Sequence, residues 1–289
     1  MYVFSVINRK VVLSLLISVC ILFLSICVYA HTNLSENNPA EIPVPILMYH
    51  SILKDPLRAG AYVVSPLTLE NDLIYIKEHG YETVFVSDLI AYVYEDKPLP
   101  EKPIVISFDD GHYNNLLYAL PLLEKYDMKA VISVVGSYTE AFSKKDSHNP
   151  NYSYLTWEDI SELQNSGRIE IANHTYRMHD SKTRNGSAIK KGETKSQYQK
   201  LLMEDLQSLQ QDLEQKSKIS PPKTFTYPYG YICLESQEVL EQYGFLASLS
   251  CYEVVSRISK DPASLYCLGR FNRPSGISTE KFMKKIQLP

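Results

Sequence analysis

The segment Ile104-Val105-Ile106-Ser107-Phe108-Asp109-Asp110-Gly111 carries the strongest chemical signal in the chain. Its apolar start reads as a buried strand, and it stops abruptly at two adjacent carboxylates and a glycine. Neighbouring acids repel, and burying either one without a partner is costly. A divalent cation removes that difficulty, because one carboxylate ligates it while the other stays free as a base. Asp110, His174 and His179 would supply one oxygen and two imidazole nitrogens. That set suits zinc, is also accepted by cobalt or nickel, and leaves a coordination position for water. The histidines stand five apart in His174-Thr175-Tyr176-Arg177-Met178-His179. Five is awkward for one helical face, so they are expected on a strand end and the loop after it.

The elements that must position these groups follow an alternating pattern. Strand-length apolar runs at 46–50, 83–86, 104–108, 130–135, 168–172 and around Phe225 are separated by helical patterns. The helices are expected at 69–79, 88–94, 116–126, 156–164 (capped by Thr156) and 196–216. The last carries Leu201, Leu202, Leu206, Leu209 and Leu213 on one side. Such alternation predicts parallel strands with crossover helices. His50, Asp109 with Asp110, His174 and Tyr229 all fall just past the C-terminal ends of separate strands, where parallel α/β barrels build their sites. His112 is expected on a helix N-terminal surface, and residues 180–195 as an exposed loop.

The remaining sequence narrows the class. Arg9 and Lys10 precede an apolar run over 11–30, long enough for the roughly 20 residues that cross a bilayer. Val28-Tyr29-Ala30 offers a small-residue cleavage site, so residues 1–30 are read as a signal peptide or an uncleaved membrane anchor. Residues 31–42 form a polar linker and 43–289 the folded domain, which faces the outside of the cell or is secreted. The chain has 289 residues, 45% apolar and 21% charged. Without Arg9 and Lys10, its 29 basic residues fall to 27 against 33 acidic ones, a net charge of −6. That disfavours nucleic acid or anionic lipid as a target. Outside the first thirty residues only Cys233, Cys251 and Cys267 remain, an odd number that argues against a disulfide framework. The 22 tyrosines supply amphipathic rings that suit sugar faces as well as core packing.

With these motifs in place, the chain resembles the polysaccharide deacetylases of carbohydrate-esterase family 4. Ser107-Phe108-Asp109-Asp110-Gly111 is similar to the family's first motif, His174-Thr175 through His179 to its second, and Tyr227-Pro228-Tyr229-Gly230 to its third. The resemblance implies a distorted (β/α) barrel of about seven parallel strands, with 43–289 as the deacetylase domain. It implies Asp109 as general base, Asp110, His174 and His179 as metal ligands, and the backbone N–H of Tyr229 at the oxyanion. Several positions depart from the family pattern. The arginine that opens the usual third motif is replaced by Thr226, the fourth motif is not recognisable, and Leu268-Gly269-Arg270 stands where the fifth would end in a histidine. Met48-Tyr49-His50, the wide histidine spacing and Tyr-Pro-Tyr-Gly together resemble the branch acting on poly-N-acetylglucosamine, which implies His50 as general acid. The expected reaction is hydrolysis of N-acetyl groups on a polysaccharide, an exopolysaccharide or peptidoglycan. An O-acetyl glycan esterase and a catalytically silent carbohydrate-binding relative are the competing readings.

Overall fold

Runs rich in Val and Ile, apolar at every position rather than alternating, are what strands buried on both faces require. In the computed structural model, which describes residues 41–145 and 147–286, such runs at the centre and shorter, more polar strands beside them form one eight-stranded parallel sheet. They are Ile46–Tyr49 (β1), Glu82–Thr83 (β2), Pro103–Phe108 (β3), Ala130–Val134 (β4), Ile169–Asn173 (β5), Thr224–Thr226 (β6), Ala247–Leu249 (β7) and Phe271–Asn272 (β8). Seven run in the order β7-β6-β5-β4-β3-β1-β8, and the two-residue β2 pairs with the start of β3. The expected seven parallel strands are therefore present. The predicted signal or anchor segment, and the linker up to residue 40, lie outside the described residues.

Helices Pro66–Glu78 (α1), Val86–Glu95 (α2), Leu120–Tyr126 (α3), Gly136–Ser143 (α4), Trp157–Asn165 (α5), Lys195–Lys216 (α6), Leu234–Tyr243 (α7) and Thr279–Lys285 (α8) complete the fold. A π-helical turn over Asn115–Ala119 interrupts what the sequence suggested as one helix before α3. Thr156 caps α5 as expected, its hydroxyl accepting from Asp159 N–H while the Asp159 carboxylate accepts from Thr156 N–H. On α6, Leu202, Leu206, Leu209 and Leu213 are buried, but Leu201 points outward because one residue turns the helix by about 100°.

Strand alternation divides the core. Leu47, Tyr49, Ile104, Ile106, Phe108 and Ile132 join one cluster with α1, α3 and α8, whereas Ile46, Val105, Val131 and Ala172 join another with α2. The sheet curls until one segment reaches both of its edges. Leu268 bridges Leu249 of β7, and three residues later Phe271 and Asn272 pair with Leu47 and Met48 of β1. Gly269 lies in that seam, where an added Cβ would come within 2.4 Å of the Val254 carbonyl oxygen.

Candidate metal centre and catalytic cleft

Three loops leave the C-terminal ends of β3, β5 and β6, and each turns through a non-glycine residue in the left-handed region. These are Asp110 (φ 70°), Thr175 (φ 71°) and Tyr229 (φ 57°). Such backbone is unfavourable for side-chain-bearing residues and persists where surrounding contacts enforce it. Gly111 follows Asp110 at φ 69°, and an added Cβ would stand a tight 3.1 Å from Val134 Cγ1, so backbone and space both favour the glycine after the paired acids.

The turns bring Asp110, His174 and His179 together, with ligand atoms all within 4.8 Å of one another. Asp110 Oδ1 lies 3.6 Å from His174 Nε2 and 3.0 Å from His179 Nε2. His174 Nδ1 is 2.8 Å from the Thr226 carbonyl oxygen. A carbonyl only accepts, so Nδ1 carries the proton and the Nε2 lone pair faces Asp110, the arrangement a metal ligand needs. One carboxylate and two imidazoles aimed at a common point, one of them held in the ligating tautomer, fit a divalent cation. Burial pushes the Asp110 carboxyl up, but the surrounding His112, His174 and His179 rings outweigh it and hold the group well below its ordinary value. Burial likewise opposes the charged form of His174, yet Asp110 and Asp109 raise it overall.

Asp109 has a separate partner. Arg270, fully buried, places Nη1 2.7 Å from Oδ1 and Nη2 2.8 Å from Oδ2, a bidentate pair. Its Nε donates to the Ser250 carbonyl at 2.8 Å. Burial raises the Asp109 carboxyl, and the Arg270 charge more than reverses that, leaving it ionised at neutral pH. The arginine missing from the third motif is thus supplied from the seam beside β8, while Thr226 in its place bonds the Ser133 hydroxyl at 2.7 Å. Sequence reasoning missed this role. The available signal was an arginine inside the apolar run Leu268-Gly269-Arg270-Phe271.

Asp205 on α6 was also missed. Its carboxylate accepts the backbone N–H groups of Tyr176 and Arg177, both at 2.7 Å, and so pins the loop between the two histidines. That contact lets residues five apart converge. His50, Asp109, Asp110, His174, His179 and Tyr229 all line one cleft of about 860 Å³. His50 packs beside the Tyr62 ring, and burial lowers its basicity despite the nearby Asp109 and Asp110 charges. The Tyr229 ring lies against His179, centroids 4.5 Å apart.

Two expectations are corrected. His112 faces this cleft rather than a helix surface, with Nε2 3.6 Å from Asp110 Oδ2 and its ring stacked on Tyr154. Residues 180–195 are anchored at their centre, not exposed throughout. Gly186 and Ser187 are buried, Arg184 pairs with Glu193 at 3.3 Å, and Gly186 packs on the Pro228 carbonyl behind the Tyr229 turn. The charges of the lysine-rich stretch had masked this tucked centre. Cys233, Cys251 and Cys267, the cysteines among the described residues, are free.

The family model for polysaccharide deacetylase matches residues 96–248. The poly-beta-1,6-N-acetyl-D-glucosamine N-deacetylase of Escherichia coli K12 is 25% identical over 234 residues, 73% of this chain and 35% of that protein. The protein of the same name from Staphylococcus aureus MRSA252 is 24% identical over 192 residues, 66% of this chain and 62% of that one. The chain therefore spans about a third of the Escherichia coli relative and under two thirds of the staphylococcal one. Among solved structures, a de-N-acetylase from Aggregatibacter actinomycetemcomitans superimposes with a TM-score of 0.71 at 22% identity, covering 85% of this chain and all of that one. IcaB from Ammonifex degensii gives 0.68 at 22% identity, covering 85% and 97%. At these identities the superpositions establish a shared fold.

Proposed function

This chain belongs to the polysaccharide deacetylase family, and on that premise we propose that it is a metal-dependent hydrolase removing N-acetyl groups from an N-acetylglucosamine polymer. The observation that carries the reading is the convergence of Asp110, His174 and His179 directly beside an ionised Asp109 oriented by Arg270. The named activity of the bacterial relatives points to an amide-linked acetyl group.

Asp110, His174 and His179 would hold the cation, zinc being favoured by the donor set. When bound it supplies Lewis acidity, which lowers the pKa of water and polarises an acetamide carbonyl. Asp109 then accepts the proton of the attacking water, its two oxygens held in place by Arg270. The backbone N–H of Tyr229 donates to the developing oxyanion. His50, half-buried in the same cleft, passes a proton to the departing nitrogen, leaving acetate and a free amine. Exposed Tyr62 and Tyr152 on the cleft wall offer flat apolar faces to neighbouring sugar rings. The apolar run over 11–30 supports placing the enzyme at the outer face of the membrane or beyond it.

Acetate release from poly-N-acetylglucosamine, chitooligosaccharides and peptidoglycan, with chelator and zinc add-back, tests the proposal. Release that chelation abolishes and zinc restores is expected on amide-linked substrates. Activity confined to O-acetylated glycans would replace the amidase reading with an esterase, and no release from any glycan would leave a binding protein.

A further inference from the structure

The two histidines differ in what holds their second ring nitrogen. His174 Nδ1 faces a carbonyl, which settles its tautomer. His179 Nδ1 instead lies 3.2 Å from two phenol oxygens, those of Tyr138 and Tyr229. A hydroxyl donates or accepts, so proximity alone leaves His179 free to carry its proton on either nitrogen.

Tyr138 breaks that symmetry. Its hydroxyl also lies 3.4 Å from the backbone carbonyl oxygen of His179 itself. A phenol has one proton to give. Donated to the carbonyl, it leaves the phenol oxygen to accept from Nδ1–H, so both contacts are made and the Nε2 lone pair faces Asp110. Donated to Nδ1, it forfeits the carbonyl contact and leaves Nε2–H to donate to Asp110 Oδ1, 3.0 Å away, which closes that nitrogen to a cation. Only the first arrangement leaves Nε2 open to a cation, so the carbonyl contact of Tyr138 favours the ligating tautomer. Tyr138 is also firmly placed. It sits on α4, whose first N–H groups donate to the histidine loop, Gly136 N to the Thr175 carbonyl at 3.1 Å and Ser137 N to the Tyr176 carbonyl at 2.8 Å. Its ring packs on Tyr154, centroids 4.5 Å apart.

We infer that Tyr138 is a positioning residue that sets the tautomer and orientation of His179 for metal binding. This rests on the metal reading given above. The test is zinc affinity of the full chain, by competition with a chromogenic chelator, for the wild type, Tyr138→Phe and Tyr229→Phe. It is paired with NMR of the histidine N–H protons in the zinc-loaded protein. Tyr138→Phe keeps the ring and should weaken zinc binding by about 10- to 100-fold without shifting the metal-free melting temperature. Tyr229→Phe, whose hydroxyl lacks the second contact, should weaken it less. In the zinc-loaded wild type the His179 Nδ1–H proton should be protected from exchange with water, and Tyr138→Phe should expose it while His174 is unchanged. Equal zinc affinity in wild type and Tyr138→Phe, or a His179 Nδ1–H equally exposed in both, overturns the inference. A wild type that binds no zinc sinks the metal reading, and this inference with it.

Discussion

Two buried arginines, three residues apart, do opposite work. Arg270 and Arg273 flank β8, and an odd spacing on extended chain sends them to opposite faces of the sheet. Both are under 2% exposed, and each pairs with a buried aspartate through two nitrogens. Arg273 turns toward the helices, where Asp72 of α1 accepts from its Nε at 2.7 Å and Nη2 at 3.1 Å. Asp72 accepts further from Tyr49 Oη at 2.8 Å and Thr279 Oγ1 at 2.5 Å. Four donors saturate that carboxylate and join α1, β1, β8 and α8. Arg270 turns toward the cleft, and the two hydrogen bonds it gives Asp109 leave lone pairs for a proton. The same ion pair is a fastener when closed on all sides and a base when one side is left open.

That contrast is easiest to break at the base. Asp109→Asn should lower turnover by about 10²- to 10⁴-fold while zinc content stays at one equivalent, read by acetate release and metal analysis. Undiminished turnover would take Asp109 out of the chemistry.

The fastener should fail differently. Arg273→Met leaves Asp72 charged and buried, which should cost about 3–5 kcal/mol of stability in urea titrations, with kcat per folded molecule preserved. A matching fall in kcat would mean that the two pairs are not separable. Tyr49→Phe removes one of the four donors to Asp72 and should cost about 1.5–3 kcal/mol, again with kcat unchanged. Burial, followed by the Asp72 charge, holds the Tyr49 hydroxyl protonated, so it is a donor at all working pH values.

An exposed pair gives the lower limit of the comparison. Hydrogen bonds from Lys216, then Lys144 and the Trp157 indole, lower Glu140 from 4.5 to about 2. A depressed acid stabilises the fold fully above its unfolded pKa and loses that contribution as pH falls through its folded one. Glu140→Gln should therefore cost about 0.5–1 kcal/mol at neutral pH, and the gap from wild type should shrink between pH 4.5 and 3. A gap independent of pH would show that packing, not charge, is responsible.

Much of this arrangement is written locally. The Asp-Asp-Gly end of β3, the capping box at Thr156 and the apolar strand runs depend on neighbours a few residues away, so they are legible in the linear chain. The placement of His50, His174 and Tyr229 past strand ends is equally local, because parallel topology carries every such end to one rim. The loop over 180–195 was misjudged because its exposed lysines say nothing about Gly186, whose burial depends on Pro228.

Partners of buried groups required the folded chain. Arg270 meets Asp109 across 161 positions, Asp205 reaches back 29 to the N–H of Tyr176, and Tyr138 approaches His179 across 41. Nothing in the residues around an aspartate states which cation will neutralise it. Desolvation decides that pairing, and it acts only once the sheet has curled and closed the distance.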